Sequence, residues 1–547
     1  MRNRTVQFTR IKILGLGVCL IAYACTPSGH QPPKKQSVEA PAASTTVDRS
    51  TARRSKTQVP DDLYLVNQIE VGRYGGTLVL GTAGDPKSFN PLIANESSSN
   101  VVLRLMFSFC WAFHNGRQID EPGLCKSYSR SDDGLVYTFT LRDGLRWSDG
   151  TALTADDFEF SYRVLLDDKV PNTDRDLFRQ GVDRSGRPIY PTFERVDSKT
   201  FRFVLKRPDV LFHYVAGSYP VMPQHRWKST FEAGGFTQAM GTKMAMKDMI
   251  GSGPFIVSAY EPGQRVVLNR NPHYWKVDTA GQRLPYLDKV ELLILPDEQA
   301  KLALFESGET HLHDVLPSEY ARLKRLERKG DYRIVDLGPS FNTNYLMFNL
   351  DPRSNADGTP RVDPVRLKWF KKKGFRAAIS HAIDRESIVR NVLFGRGQPL
   401  WSYVSPANRR WYPKTVKRYP FDLQQSAMLL KAEGFRQKDG LLVDKNGVPV
   451  QFTILTNAEN GMRISMLNYI KQDLAQLGIK VDIRPLSFND VVTALRDTRR
   501  FEAVLLGWGV SVPPDPGFSK NVLMSRGRSH NWYPEQAKPA TPWEGEI

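Results

Sequence analysis

The chain has 547 residues, 40% of them hydrophobic and 24% charged, and a formal net charge of +18. That length exceeds what one hydrophobic core supports, so at least two lobes are expected. Residues 1–24 hold four bases and no acid, and residues 26–59 hold a net four positive charges, which leaves about +10 on the folded part. No recognition motif accompanies basic clusters such as Lys371-Lys372-Lys373, so they read as a solvated face rather than a nucleic-acid footprint.

Arg2, Arg4, Arg10 and Lys12 precede an apolar run at 13–24. The run falls short of the roughly 20 residues that cross a bilayer and predicts a signal peptide. Small residues at Ala22 and Ala24 place cleavage before Cys25, which would then be acylated as in a bacterial lipoprotein. Ordinary secretion, with Cys25 merely near the cut, is the other reading. Residues 26–59 are Pro, Ser, Thr, Ala, Gln and Lys with almost nothing apolar, the composition of a flexible tether. Cys19 leaves with the leader, so Cys110 and Cys125 remain. They either pair, closing a loop of about 15 residues worth roughly 3 kcal/mol, or stand as two separate buried thiols.

Beyond the tether, strands, turns and helices alternate in the manner of an α/β protein. Strands are predicted at 76–81, 136–142, 200–205, 255–257 and 290–295, and a helix at 298–305. Asp149-Gly150 is a turn pair. Thr154 then caps a helix whose first turn carries Asp156 and Asp157 and whose Phe158, Tyr162 and Leu165 share one apolar face. A second lobe begins with a strand at 344–349 and an amphipathic helix over 370–392. Its strand, helix and strand at 451–455, 463–477 and 480–484 imply a right-handed parallel unit, and 501–509 is the last strand. Thr541-Pro542-Trp543-Glu544 has the form of a capping box with Pro at the first helical position, so a further helix is expected after it.

No phosphate-binding Gly-x-x-x-x-Gly-Lys-Ser/Thr loop, Gly-x-Ser-x-Gly elbow or His-Glu-x-x-His helix occurs in the sequence. His311, His313 and Asp314 read more simply as alternation on a strand edge than as metal ligands. A binding protein needing no cofactor or metal is expected. An exported α/β hydrolase and a non-selective secreted chaperone or adhesin are the alternatives.

The run from Leu145 to Arg163, with the strand before it, resembles the signature region of the family 5 extracellular solute-binding proteins, the peptide, nickel and oligosaccharide receptors of bacterial ABC importers. The order of segments from about residue 73 onward is similar too. The resemblance implies an α/β, two-lobed periplasmic-binding-protein-like fold of the large three-subdomain type, with a ligand cleft between the lobes. Lobe 1 would span 60–340, with an inserted subdomain at about 91–190; lobe 2 would span 341–547 and be C-terminally incomplete. The implied protein is a monomer, lipid-anchored in the periplasm or at the cell surface, with no nucleic-acid partner. It would capture a peptide or other small solute and deliver it to an ABC permease. By the same resemblance, Trp508 and Phe488 stand where aromatic rings face the ligand, and Asn344 lies at the crossover between lobes; Trp508 would serve equally well in the core. Many peptide receptors pair the ligand's α-amino group with an Asp three residues after this Trp, where this chain has Ser511. Asp515 is the carboxylate that a shifted loop would bring there; otherwise the ligand need not be a peptide.

Overall fold

The computed structural model describes residues 64–66, 69–94, 96–114, 119–172, 174–509 and 515–540. Cys25, Ser511 and the 541–544 capping box lie outside the described residues. The first half runs through β1 (Thr77–Ala83), α1 (Ser97–Met106), β2 (Cys125–Arg130), β3 (Val136–Leu141), α2 (Ala155–Leu166), β4 (Thr192–Arg195), β5 (Thr200–Val204), β6 (Phe255–Glu261), β7 (Arg265–Arg270), β8 (Lys289–Leu295) and α3 (Glu298–Glu306). Strand β1 pairs in parallel with β8, and β7 and β6 continue that sheet antiparallel. The partners in the parallel pair are some two hundred residues apart in sequence, and the segment between them builds a separate antiparallel sheet, β2-β3-β5-β4. Its last two strands lie beyond residue 190.

Thr154 caps α2 by accepting from Asp156 N, and Asp157 closes the reciprocal half of the capping box. Phe158 on α2 stacks on Phe201 at 4.7 Å, and Phe201 on Phe139 of β3 at 5.4 Å, so the helix buries its apolar face on the antiparallel sheet. Asp157 is itself buried. Its carboxylate accepts from Thr154 N, Gln224 N and Trp147 Nε1 at 2.9, 2.8 and 3.2 Å. Cys110 and Cys125 form a disulfide that ties the segment after α1 to the start of β2.

The second half runs through β9 (Thr343–Phe348), α4 (Lys373–Ala382), α5 (Leu423–Ala432), β10 (Gln451–Asn457), α6 (Gly461–Ala475), β11 (Lys480–Leu486), α7 (Phe488–Arg496) and β12 (Ala503–Trp508). The sheet order is β9-β12-β10-β11, with β10 parallel to both β11 and β12 and β9 antiparallel to β12. Strand β12 is buried on both faces. Ala503 and Leu505 join the core under α4 and α6, whereas Val504 and Leu506 join a smaller cluster with Val491 and Leu495 of α7.

The helix expected over 370–392 is three pieces. Pro364–Lys371 stops at Lys372; α4 follows, and a third helix spans Arg385–Asn391. Asp384 makes the second break by capping Ser387 N with its side chain while its own N–H donates to Asp473 Oδ2 at 2.9 Å. A tertiary partner has overridden a continuous helical period. His311 and His313 sit outside any strand: His311 exchanges bonds with Val79 N and O, and His313 Nε2 lies 2.8 Å from Glu319 Oε2. Residues 515–540 touch both halves. Leu350 N donates to Trp532 O at 2.7 Å, and Arg528 N donates to Asp176 Oδ2 at 3.0 Å.

Candidate functional site

The loop after β1 faces the start of α7, and there the two lobes meet. Asp85 is fixed from its own lobe, its Oδ1 accepting from Tyr260 Oη at 2.7 Å and Gly263 N at 2.8 Å. Its carbonyl accepts from Asn489 Nδ2 of the other lobe at 3.2 Å, and Lys87 Nζ donates to Thr493 Oγ1 at 2.9 Å. Ser99 Oγ on α1 receives Lys87 N and donates to Glu96. Around these contacts lies a cavity of about 320 Å³, lined by Gly84, Asp85, Gly263 and Leu295 on one side and Glu459 and Phe488 on the other.

A chain of polar groups runs along the lobe 2 wall. Arg463, in the first turn of α6, donates from Nε to Asn344 Oδ1 at 3.0 Å and from Nη1 to Asn457 Oδ1 at 2.7 Å. Asn457 Nδ2 reaches Glu459 Oε2 at 3.3 Å, and Glu459 Oε1 accepts from Phe488 N at 2.9 Å. Asn344 and Phe488 are thus the two ends of one connected network. Burial lowers the Arg463 pKa below the usual guanidinium value, against the opposing pull of Tyr345 and of Glu298 from lobe 1. Arg496, at the end of α7, is shifted the same way by burial and has Tyr345 and Glu96 of lobe 1 as its raising neighbours. Burial pushes the Tyr345 hydroxyl up to about 12, with Asn531, Arg463 and Arg496 opposing the rise. Two half-buried cations of lobe 2, Arg463 and Arg496, thus feel the carboxylates of Glu298 and Glu96 in lobe 1.

The half-buried Trp508 ring lies 6.5 Å from Tyr345, and the Tyr403 hydroxyl sits 3.2 Å from Ser519 Oγ. Asp515 Oδ1 accepts Gly517 N at 2.8 Å, so one carboxylate oxygen caps a short turn. The structure brings Trp508, Asn344 and Phe488 to the lobe 2 wall. Sequence reasoning missed Arg463, Arg496, Glu96, Glu298, Lys87 and Glu459. One signal was available for Arg463: a glycine inside a strand, Gly507, marks a close approach, and Arg463 is what approaches. Among the described residues no group of three or more His, Cys, Asp or Glu side chains could hold a metal ion.

The family model described as bacterial extracellular solute-binding proteins, family 5 Middle, matches residues 121–530. The chain belongs to that family. Among its relatives is a probable ABC transporter-binding protein of Deinococcus radiodurans, 29% identical over 452 residues that cover 79% of this chain and 73% of the relative. The oligopeptide-binding protein AppA of Bacillus subtilis is 27% identical over 84% of this chain and 78% of its own. The structure of AppA in complex with a nonapeptide superposes with a TM-score of 0.70 at 26% identity, covering 86% of this chain and 85% of AppA. That of the periplasmic binding protein MelB of Agrobacterium fabrum with stachyose gives 0.72 at 23% identity, covering 87% and 74%. As a family 5 protein the chain is a two-lobed α/β solute receptor of the extracytoplasmic type, and the seam between its lobes is where such a receptor encloses its solute.

Proposed function

We propose that this chain is a membrane-tethered receptor that encloses a peptide-like solute between its lobes and presents it to an ABC permease. The observation that carries the reading is the make-up of the seam. Across it Lys87 donates to Thr493 and Asn489 to the Asp85 carbonyl, and Phe488 and Glu459 of lobe 2 share with Asp85 and Leu295 of lobe 1 a cavity of about 320 Å³. A solute bridging both walls would favour the closed state by its differential contacts, and the lobes would hinge on the segment near 336–344. The likeness to AppA, whose structure holds a nonapeptide, supports a peptide ligand. MelB supports the fold alone, and its stachyose shows that the fold by itself does not fix the ligand. Trp508, Phe488 and Asn344 are the proposed contacts in lobe 2, with Ser511 and Asp515 following them in the sequence. The tether at 25–59 and an acylated Cys25 would hold the receptor at the membrane.

Native mass spectrometry of the purified chain tests this, followed by release of what it carries. An intact peptide at one per chain is the expected result. Fragments that accumulate with time would mean turnover, and a heterogeneous load of unfolded protein would mean a holdase.

A further inference from the structure

Between the helix Arg385–Asn391 and α5 the chain forms no regular element, and residues 387–421 contain no acid. Five of its cations, Arg409, Arg410, Lys414, Lys417 and Arg418, are exposed. None of the five has a carboxylate within ion-pair distance among the described residues, whereas the nearby Arg396 pairs with Asp336 at 3.7 Å and lies over the Tyr320 ring. Two large rings are exposed among them, Trp411 at 42% and Phe421 at 43%. The Arg410 guanidinium lies 5.5 Å from the Trp411 ring and the Lys417 ammonium 5.2 Å from Tyr419.

The stretch is held in place. Tyr412 N donates to Asn408 O at 2.9 Å, the His381 ring bonds Pro420 O at 2.8 Å, and Asp422 N donates to His381 O at 2.9 Å. Five like charges so close together repel one another, and folding gains nothing from two exposed apolar rings beside them. An anionic lipid surface relieves both: Lys and Arg meet the headgroup phosphates, and Trp and Phe enter the interfacial layer.

We propose that residues 409–421 form a docking patch for anionic phospholipid headgroups, which lays this edge of lobe 2 against the membrane. The inference goes beyond solute capture and does not depend on it. The test uses the full chain carrying Cys25→Ala, so that no acyl group contributes, sedimented with phosphatidylcholine vesicles with and without phosphatidylglycerol. The expected result is salt-sensitive binding to the anionic vesicles alone. Arg409→Gln, Arg410→Gln, Lys414→Gln, Lys417→Gln and Arg418→Gln together should weaken it by about tenfold or more, and Trp411→Ser by a few-fold. Equal partition of the five-site variant and its parent overturns the proposal. Undiminished binding by Trp411→Ser, with duplex DNA held as tightly as vesicles, also overturns it, because the patch would then be a general polyanion site.

Discussion

Arg463 occupies the space that Gly507 leaves by having no side chain. A Cβ on Gly507 would run into Arg463 Nη2 and come within 3.4 Å of Asn344 Oδ1. Because Gly507 pairs with Asn344 across the β9/β12 ladder, the strand pairing and the guanidinium share one site. Gly507→Ala is therefore expected to push Arg463 off Asn344 and Asn457, costing about 1–3 kcal/mol in thermal or denaturant unfolding. Solute affinity should fall by about tenfold or more, since one hydrogen-bonded charge worth roughly 1.5–3 kcal/mol is displaced. Parental stability and affinity in this variant would remove Arg463 from the binding wall.

Charges on opposite lobes should couple only when the lobes are together. In a double-mutant cycle on solute affinity, Glu298→Gln and Arg463→Met are expected to show a coupling of about 0.5–3 kcal/mol that shrinks in high salt. Glu298 also pairs with Lys301 at 3.1 Å, so the single Glu298 change should read smaller than the Arg463 change. Strict additivity would place the pair outside the closed state.

Acid stability should depend on Asp351, a fully buried carboxylate. Burial acts to raise its pKa, but bonds from Arg353 at 2.7 Å and Arg361 at 2.6 Å outweigh that, and the group stays below the ordinary carboxylate value. A depressed folded-state pKa gives stability that is present above the unfolded pKa and is lost as pH falls through the folded one. Arg361→Met should remove about 1–3 kcal/mol near neutral pH, because Arg353 still holds both carboxylate oxygens, and should flatten the acid limb of the stability profile. A melt series in which parent and variant lose stability in parallel below pH ~4 would contradict this.

Asp157→Ala should be among the costliest single changes in lobe 1. It strands three donors, Thr154 N, Gln224 N and Trp147 Nε1, in a buried place, and a loss of about 3–5 kcal/mol is expected from chemical unfolding. Asp156→Ala, on the exposed side of the same turn, should cost less than about 1 kcal/mol. Equal costs would mean that the cap alone matters.

Anchoring is tested by Cys25→Ala. If acylation holds the receptor, the variant should leave the membrane fraction in a high-salt wash, which also releases the 409–421 patch, or remain unprocessed, because each buried methylene of an acyl chain contributes about 0.8 kcal/mol. Unchanged retention and mass would assign retention to another element.

The framework was legible in the sequence because its signals are local. Alternation gave β5, a continuous apolar run gave β12, and Thr154 with Asp156 and Asp157 gave the start of α2. The cleft was legible only in part. Trp508 and Phe488 came from resemblance, whereas Glu96, Glu298, Arg463 and Arg496 stand in no motif and are brought together across hundreds of residues by the lobes meeting. The helix expected at 370–392 failed for the same reason: the hydrophobic period runs on through Asp384, but the bond to Asp473 is invisible from sequence. Asp157 shows the converse, since the sequence reads it as a helix-end charge and the fold uses it as the hub of three buried donors.

Capture by closure is tested most directly by small-angle X-ray scattering of the chain during titration with the peptide recovered from it. The account predicts a compaction that saturates at one peptide per chain and reverses when the peptide is removed. Scattering that stays unchanged at full occupancy would contradict it.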